Sequence, residues 1–521
     1  MFDTRLEALS PEMLRGIRRG IEKESLRVTP DGMLSDKPHP SALGSALTHP
    51  HITTDFSESQ LELITGVHHD IGGCLTQLTE IHQFVHRSIG DELLWCTSMP
   101  CGLPDDQAIP IGRFGRSNVG MAKRVYRIGL AHRYGRRMQT ISGIHYNFSM
   151  PDEAWPALHR ADAAAGSLQE FQNDSYFALI RNFRRHSWLL LYLFGASPAV
   201  CGSFVEDRVH RLQPLRPGVL YLPHATSLRM GPLGYQSDVQ ASLPVSYNSL
   251  AEYSQSLSRA LTEPYAPYAR IGIRNGDDYR QLSTSLLQIE NEFYSTIRAK
   301  RRIKPGERPL RAMNERGVEY VEVRAMDLDP YLNIGIGHDT IRFLDIFLLH
   351  CLLSPSEPDS PRESLAIHHN QHLVADYGRD PELRLAHGDE MRAPGEWGLR
   401  LLEEFEPVAA RLDAAHGGSA YAGLLSSAGA ALRDPSRTPS ARILRDMAEH
   451  HDDSFTDFAL ARSAAHRRQL LDRPLSPEVA ARFARMAVES ATRQAQIETS
   501  DTIPFETYRQ QYIGQELFPG R

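Results

Sequence analysis

Residues 318–324 (VEYVEVR) alternate strictly, so that Val321 and Val323 fall on one side of an extended chain and Tyr320, Glu322 and Arg324 on the other. The pattern predicts a strand with an apolar back and a front that sets a carboxylate beside a guanidinium. Such a front suits a divalent cation and a phosphoryl group in transfer, although a solvated sheet face looks the same. The design recurs. Residues 20–28 place Glu22 and Glu24 on a common face, and residues 144–149 set His145, Asn147 and Ser149 against Ile144, Tyr146 and Phe148. Residues 289–294 read as a strand with Glu290, Glu292 and Tyr294 opposite Ile289 and Phe293, and residues 53–63 carry Asp55 and Glu62 in a mixture of loop and strand. Like charges at ~4 Å repel by about 4 kcal/mol at an effective dielectric of ~20. A buried pair such as Glu22 and Glu24 therefore needs a proton, an arginine or a metal, and an exposed pair needs nothing. Several half-polar strands with acids, one histidine and few lysines predict a carboxylate-lined cavity, and hard oxygen ligands with one imidazole favour Mg²⁺ or Mn²⁺ over zinc.

Helical periodicity is clearest over residues 70–93, where Leu75, Leu78, Ile81, Phe84 and Val85 share a face. Ser10, ahead of Pro11 and Glu12, reads as a helix N-cap, residues 188–194 as a buried helix end stopped by Gly195, and residues 302–317 as a basic loop. From 120 to 325 strands and helices alternate irregularly, as in an α+β protein with an antiparallel sheet. The proline-rich stretch 354–361 breaks the chain; beyond it the sequence turns helical, with an Ala/Gly-rich segment at 408–432 and a helix starting near Ser476. The predicted division is a core over 1–353 and a helical C-terminal region over 362–521 packed on it.

With 521 residues, 41% hydrophobic and 23% charged, the chain can bury a large core, and its net charge of −7 argues against a general nucleic-acid binder. No run of apolar residues reaches the ~18 needed to span a bilayer, and the N-terminus lacks the pattern of a signal peptide. Five cysteines in such a chain predict reduced thiols in the cytoplasm. Cys96 and Cys101 have zinc-compatible spacing but no second pair, while His82 with His86, and His368, His369 and His372, are expected to be solvated. There is no Walker A sequence, and Gly335 with Gly337 lacks the rest of a dinucleotide fingerprint. Nothing calls for an obligate protein partner.

The chain resembles the proteobacterial type of glutamate–cysteine ligase. The resemblance rests on residues 19–28 (RGIEKESLRV), 43–49 (LGSALTH), 52–58 (ITTDFSE), 138–148 (MQTISGIHYNF), 192–198 (YLFGASP), 225–229 (ATSLR), 288–294 (QIENEFY), 320–324 (YVEVR) and 440–444 (SARIL), in order over about residues 15–445. It implies a glutamine-synthetase-like curved antiparallel sheet forming a funnel. There ATP would phosphorylate the γ-carboxylate of L-glutamate and the amine of L-cysteine would attack the acyl phosphate, giving γ-glutamylcysteine, the first step of glutathione biosynthesis. By family position Glu22, Glu24, Asp55, Glu62, His145 and Glu322 are expected to hold Mg²⁺ or Mn²⁺. Arg324, with Arg127 second, is expected to face the ATP phosphates, and Arg324, Glu322 and Asp55 to serve catalysis. Tyr126, Arg229, Tyr235 and Tyr294 are expected at the amino-acid substrates, and Phe56, Leu130 and Gln139 around the thiol side chain. The basic run 298–302 (RAKRR) is implied to lie near nucleotide phosphates, although relatives often carry proline where Ala299 stands. Two other readings of the same acids are a ligase for a different amine on this scaffold and a metal-dependent phosphohydrolase. A catalytically dead, nucleotide-binding relative is disfavoured because every expected metal ligand is present.

Overall fold

The alternating segments meet in one antiparallel sheet. A computed structural model of the protein describes residues 1–518 other than Cys101, Asp207 and 235–242. Its main sheet has seven strands: β1 (Arg18–Val28), β2 (Ile52–Thr54), β3 (Gln60–Ile64), β4 (Leu93–Leu94), β5 (Ile144–Ser149), β6 (Ile297–Lys300) and β7 (Tyr320–Met326). They lie in the order β6-β7-β5-β1-β3-β2, with β4 joined to the end of β1. The register sets Glu24 opposite Glu62, Glu22 opposite His145, and Glu322 between Asn147 and Arg298. Cross-strand partners stand roughly 4.5–5.5 Å apart at Cβ, so this register alone gathers the acids into a band across one face.

The other face is the core. Ile144, Tyr146, Phe148, Val321 and Val323 are fully buried there, and helices Leu168–His186 and Trp188–Phe194 pack on β6 and β7. Helix Ile71–Ser88 packs on β1 and β3, burying Leu75, Leu78, Ile81 and Val85 as the periodicity predicts. Ser10 caps its helix by accepting from the Met13 amide. The back of β1 departs from the apolar pattern, and each of its charges has an answer. Arg19 forks onto Asp345 of helix His338–Leu353, which also accepts from the Tyr146 hydroxyl. Arg27 pairs with Glu92 at 2.9 Å, and Lys23 donates to Ser25 Oγ at 2.6 Å.

Three expectations need correction. Residues 289–294 form a 3₁₀ turn, Glu290–Glu292, in place of a strand. Its acids are structural: Glu290 pairs with Arg308 and Glu292 with Arg133, each at 2.9 Å. The loop expected over 302–317 contains a helix, Pro309–Arg316, started by its proline. His82 and His86 are buried rather than solvated; burial lowers both, His86 to about 3, so they sit neutral behind β1 beside Lys23 and His466. Cys96 is buried against the Ala459 carbonyl, and Cys101 lies outside the described residues.

The helix ending at Leu353 and the next, starting at Pro361, bracket the predicted break. The C-terminal helices then return to the sheet. Helix Pro477–Ser500 meets the loop before β2: Ser45 N donates to Ser490 Oγ at 2.9 Å and Thr48 Oγ1 to the Ser490 carbonyl at 2.6 Å. Gly44 lies in the left-handed region (φ +76°), and a Cβ there would stand 2.3 Å from Ser490 Oγ. Helix Phe505–Ile513 packs on helix Asn118–Tyr134. Among the described residues no helix is long and apolar enough to cross a membrane.

Candidate active site

Glu22, Glu24, Glu62, His145, Glu322 and Arg324 converge on the front of the sheet. His145 is the hub. Its Nδ1 lies 3.3 Å from Glu22 Oε2 and 3.8 Å from Glu322 Oε1, and its Nε2 lies 3.6 Å from Glu24 Oε1. Burial, then the Arg324 charge, lowers the His145 pKa; the neutral imidazole donates one N–H to Glu22 and keeps a lone pair on its other ring nitrogen. Asn147 donates to Glu22 Oε1 at 2.9 Å. Arg324 places Nη1 3.3 Å from Glu322 Oε2, and Lys300 places Nζ 3.3 Å from Glu322 Oε1.

The electrostatics divide the acids. Burial works to raise the Glu322 carboxyl, but Lys300, Arg324 and His145 hold it well below the ordinary value. Glu22 is likewise brought below it, against burial, by the hydrogen bond with His145. Around Glu24 and Glu62 the cations weigh less: Arg229 and Arg324 act on Glu24 and Lys123 on Glu62, each behind burial and neighbouring acids. Burial and then Asp55 push Glu24 up to about 8, and burial and then Glu22 raise Glu62 well above its ordinary value. One donor atom from each of Glu22, Glu62 and His145 lies within 4.8 Å of the others, and Glu322 Oε2 is buried without a hydrogen bond. Hard oxygens around one neutral imidazole, with two carboxyls whose nearby cations do not offset burial and the other acids, fit a divalent cation such as Mg²⁺ or Mn²⁺.

Asp55 stands between β2 and β3 and is half-buried. Its carbonyl accepts from Arg127 Nε, and the Arg127 guanidinium covers the Phe114 ring at 4.4 Å. That guanidinium is thus engaged with the loop that carries Asp55. Arg127 belongs to helix Asn118–Tyr134, whose inner face also carries Tyr126 and Leu130; Ser117 caps this helix through the Gly120 amide. Phe56 and Leu130 are buried. Gln139 donates to the Tyr294 hydroxyl at 3.0 Å, and Tyr134 meets the Tyr294 ring edge-on. Arg229 is 2% exposed, donates to the Arg324 carbonyl at 2.8 Å and lies 3.7 Å from Asp327. Arg229, Arg324 and Tyr294 line a cavity of about 640 Å³ that is also lined by Tyr247, Arg184 and His368. Tyr235 lies outside the described residues.

Sequence reasoning passed over several groups here. Asn147 was visible on the polar face of β5 but carries no charge to mark it. Lys300 was read only as part of a basic run. Lys123, one turn before Arg127, is half-buried near the Phe114 ring, and desolvation followed by Arg127 lowers it to about 8. Its sign was readable, but the chain alone did not bring it to Asp55 and Glu62.

The family model for glutamate–cysteine ligase matches residues 5–374. A glutamate–cysteine ligase of Pseudomonas fluorescens is 47% identical over 96% of this chain and 94% of its own, and one of Azotobacter vinelandii 48% identical over 98% and 97%. Among solved structures, the Francisella tularensis glutamate–cysteine ligase in complex with AMP superposes with a TM-score of 0.90 at 36% identity, covering 96% of this chain and 97% of that one. A bifunctional glutathione synthetase of Pasteurella multocida gives 0.73 at 26% identity, covering 93% of this chain and 57% of that one. The sheet, its band of acids and the matched length together place this chain in the glutamate–cysteine ligase family.

Proposed function

We propose that the protein joins the γ-carboxylate of L-glutamate to the amine of L-cysteine at the expense of ATP, forming γ-glutamylcysteine. The observation that carries this reading is the acid band beside Arg324, which lines one cavity together with Arg229, in a chain of this family. Amide formation from a free carboxylate needs activation, and an acyl phosphate supplies it. The site must then bring two anions together, ATP and glutamate, and place the cysteine amine against the activated carbon. Mg²⁺ or Mn²⁺ held by Glu22, Glu24, Asp55, Glu62, His145 and Glu322 would neutralise the phosphates and polarise the transferring group. Arg324 faces the transferring phosphoryl group and spreads its charge. Arg127 fixes the loop of Asp55. Arg229 pairs with the carboxylate of the amine substrate, with Tyr126 and Tyr294 beside it; Tyr235, expected at the same substrate, lies outside the described residues. Phe56, Leu130 and Gln139 bound the small space for the thiol side chain. Holding the reactants in line contributes on the order of 7–11 kcal/mol to such reactions.

The test is mass analysis of the product formed from ATP, Mg²⁺, glutamate and cysteine, with phosphate release measured in parallel. The ligase reading expects phosphate release to require both amino acids together and the product to have the mass of γ-glutamylcysteine. Release of phosphate without either amino acid would instead make the acid band a phosphohydrolase centre.

A further inference from the structure

Building on the reading of Arg229 as the group that binds the carboxylate of the amine substrate, we infer that Asp327 is the positioning residue that sets Arg229. Through it Asp327 sets the enzyme's demand for a carboxylate on that substrate. Asp327 follows the last residue of β7 and is 5% exposed. Its Oδ2 accepts from the Ala196 amide and from Ser197 Oγ, both at 2.8 Å, and its Oδ1 accepts from Ser227 Oγ at 3.0 Å. These donors hold the carboxylate rigidly, and Oδ1 then faces Arg229 Nη1 at 3.7 Å. That distance is an ion pair rather than a tight hydrogen bond, so it orients the guanidinium without consuming its charge.

The other sides of Arg229 are shaped as closely. Nη2 donates to the Arg324 carbonyl at 2.8 Å. The guanidinium lies against Gly143, where a Cβ would stand 2.0 Å from Nη2 and 2.6 Å from Cζ, so only glycine leaves room for it. Gly143 also donates its amide to Glu24 Oε2 at 2.7 Å. Arg229 therefore lies between two carboxylates, Glu24 of the acid band and Asp327 behind it. Asp327 is the counterweight that keeps the guanidinium from being drawn toward the acids and off the substrate.

A purely structural role for Asp327 is separable from this one. In Asp327→Asn the amide oxygen can still accept from Ala196 and Ser197, and the amide NH₂ can donate to Ser227 Oγ; what disappears is the charge facing Arg229. The experiment is steady-state kinetics with cysteine and with cysteamine, which lacks the carboxylate, in wild type, Asp327→Asn and Arg229→Ala. Asp327→Asn is expected to raise KM for cysteine on the order of tenfold while KM for ATP and kcat/KM for cysteamine stay within about twofold. The preference for cysteine then falls on the order of tenfold. Equal losses on cysteine and cysteamine, or an unchanged preference in Asp327→Asn beside a lost one in Arg229→Ala, would overturn the role of Asp327 alone. An unchanged preference in Arg229→Ala would remove the underlying reading of Arg229. If Asp327→Asn does not fold, Asp327→Glu and Asp327→Gln, equal in length and different in charge, provide the comparison. Only the Glu variant is expected to keep the preference, and equal preferences in the two would overturn the inference.

Discussion

Glu62 and Glu322 face the same space, yet their neighbours make them opposite investments. Glu62 is raised by burial and by three other acids, with only Lys123 against them, so its charge costs stability in the metal-free protein. Glu62→Gln should leave the apo melting temperature unchanged or higher, abolish most activity and shrink the stabilisation by Mg-ATP, all readable by thermal shift with and without ligand. Glu322 is held by Lys300 and Arg324, each at 3.3 Å. Glu322→Gln should also abolish activity but lower apo stability by about 1–3 kcal/mol, because two cations lose their partner. If both variants stabilised the apo protein equally, the division of charge between these acids would be wrong. Arg324→Lys keeps the charge and loses the planar fork. Its kcat should fall on the order of a hundredfold with a far smaller change in ATP affinity, measured by kinetics and direct binding. An unchanged kcat with a raised KM for ATP would make Arg324 a ground-state binding group.

At the scale of elements, β7 and β5 were legible because their backs are uniformly apolar and their fronts polar, which strict alternation reports directly. β1 was legible as a strand, but the state of its back was not. Arg19, Lys23 and Arg27 are all buried there, and their partners Asp345 and Glu92 lie far along the chain or on another element. The segment 289–294 failed for the same reason: alternation cannot distinguish a strand from a turn whose acids are claimed by Arg308 and Arg133. The Arg19–Asp345 pair joins the sheet to helix His338–Leu353 with both side chains fully buried. Asp345→Ala, which strands the guanidinium and the Tyr146 hydroxyl, should cost about 3–5 kcal/mol in denaturant unfolding. A loss below about 1 kcal/mol would mean that water or a shifted carbonyl replaces the carboxylate.

Several of the molecule's histidines lie in the interior or at its edge. Burial lowers His186 and His86 to about 3 and His350 to about 4 from an ordinary 6.5. Above pH 6.5 these groups are neutral in both folded and unfolded chains and contribute no pH dependence. As pH falls below 6.5 the unfolded chain takes up protons that the folded one refuses, so stability is lost until the folded values are passed. Each histidine contributes about 1.4 kcal/mol per pH unit across that window. The melting temperature should therefore decline from about pH 6.5 downward, before most carboxylates titrate, and His186→Gln should flatten the decline if it folds; a flat profile to pH 5 would contradict this. One contact described above also sets an order in time. Ser45 and Ser490 bond across 445 positions, and the same helix fills the space that Gly44 leaves open beside the loop leading to Asp55. On the ribosome the strands bearing the acids emerge long before the helix that braces them. That contact therefore forms only once residue 490 has left the ribosome, long after the strands that carry the acids.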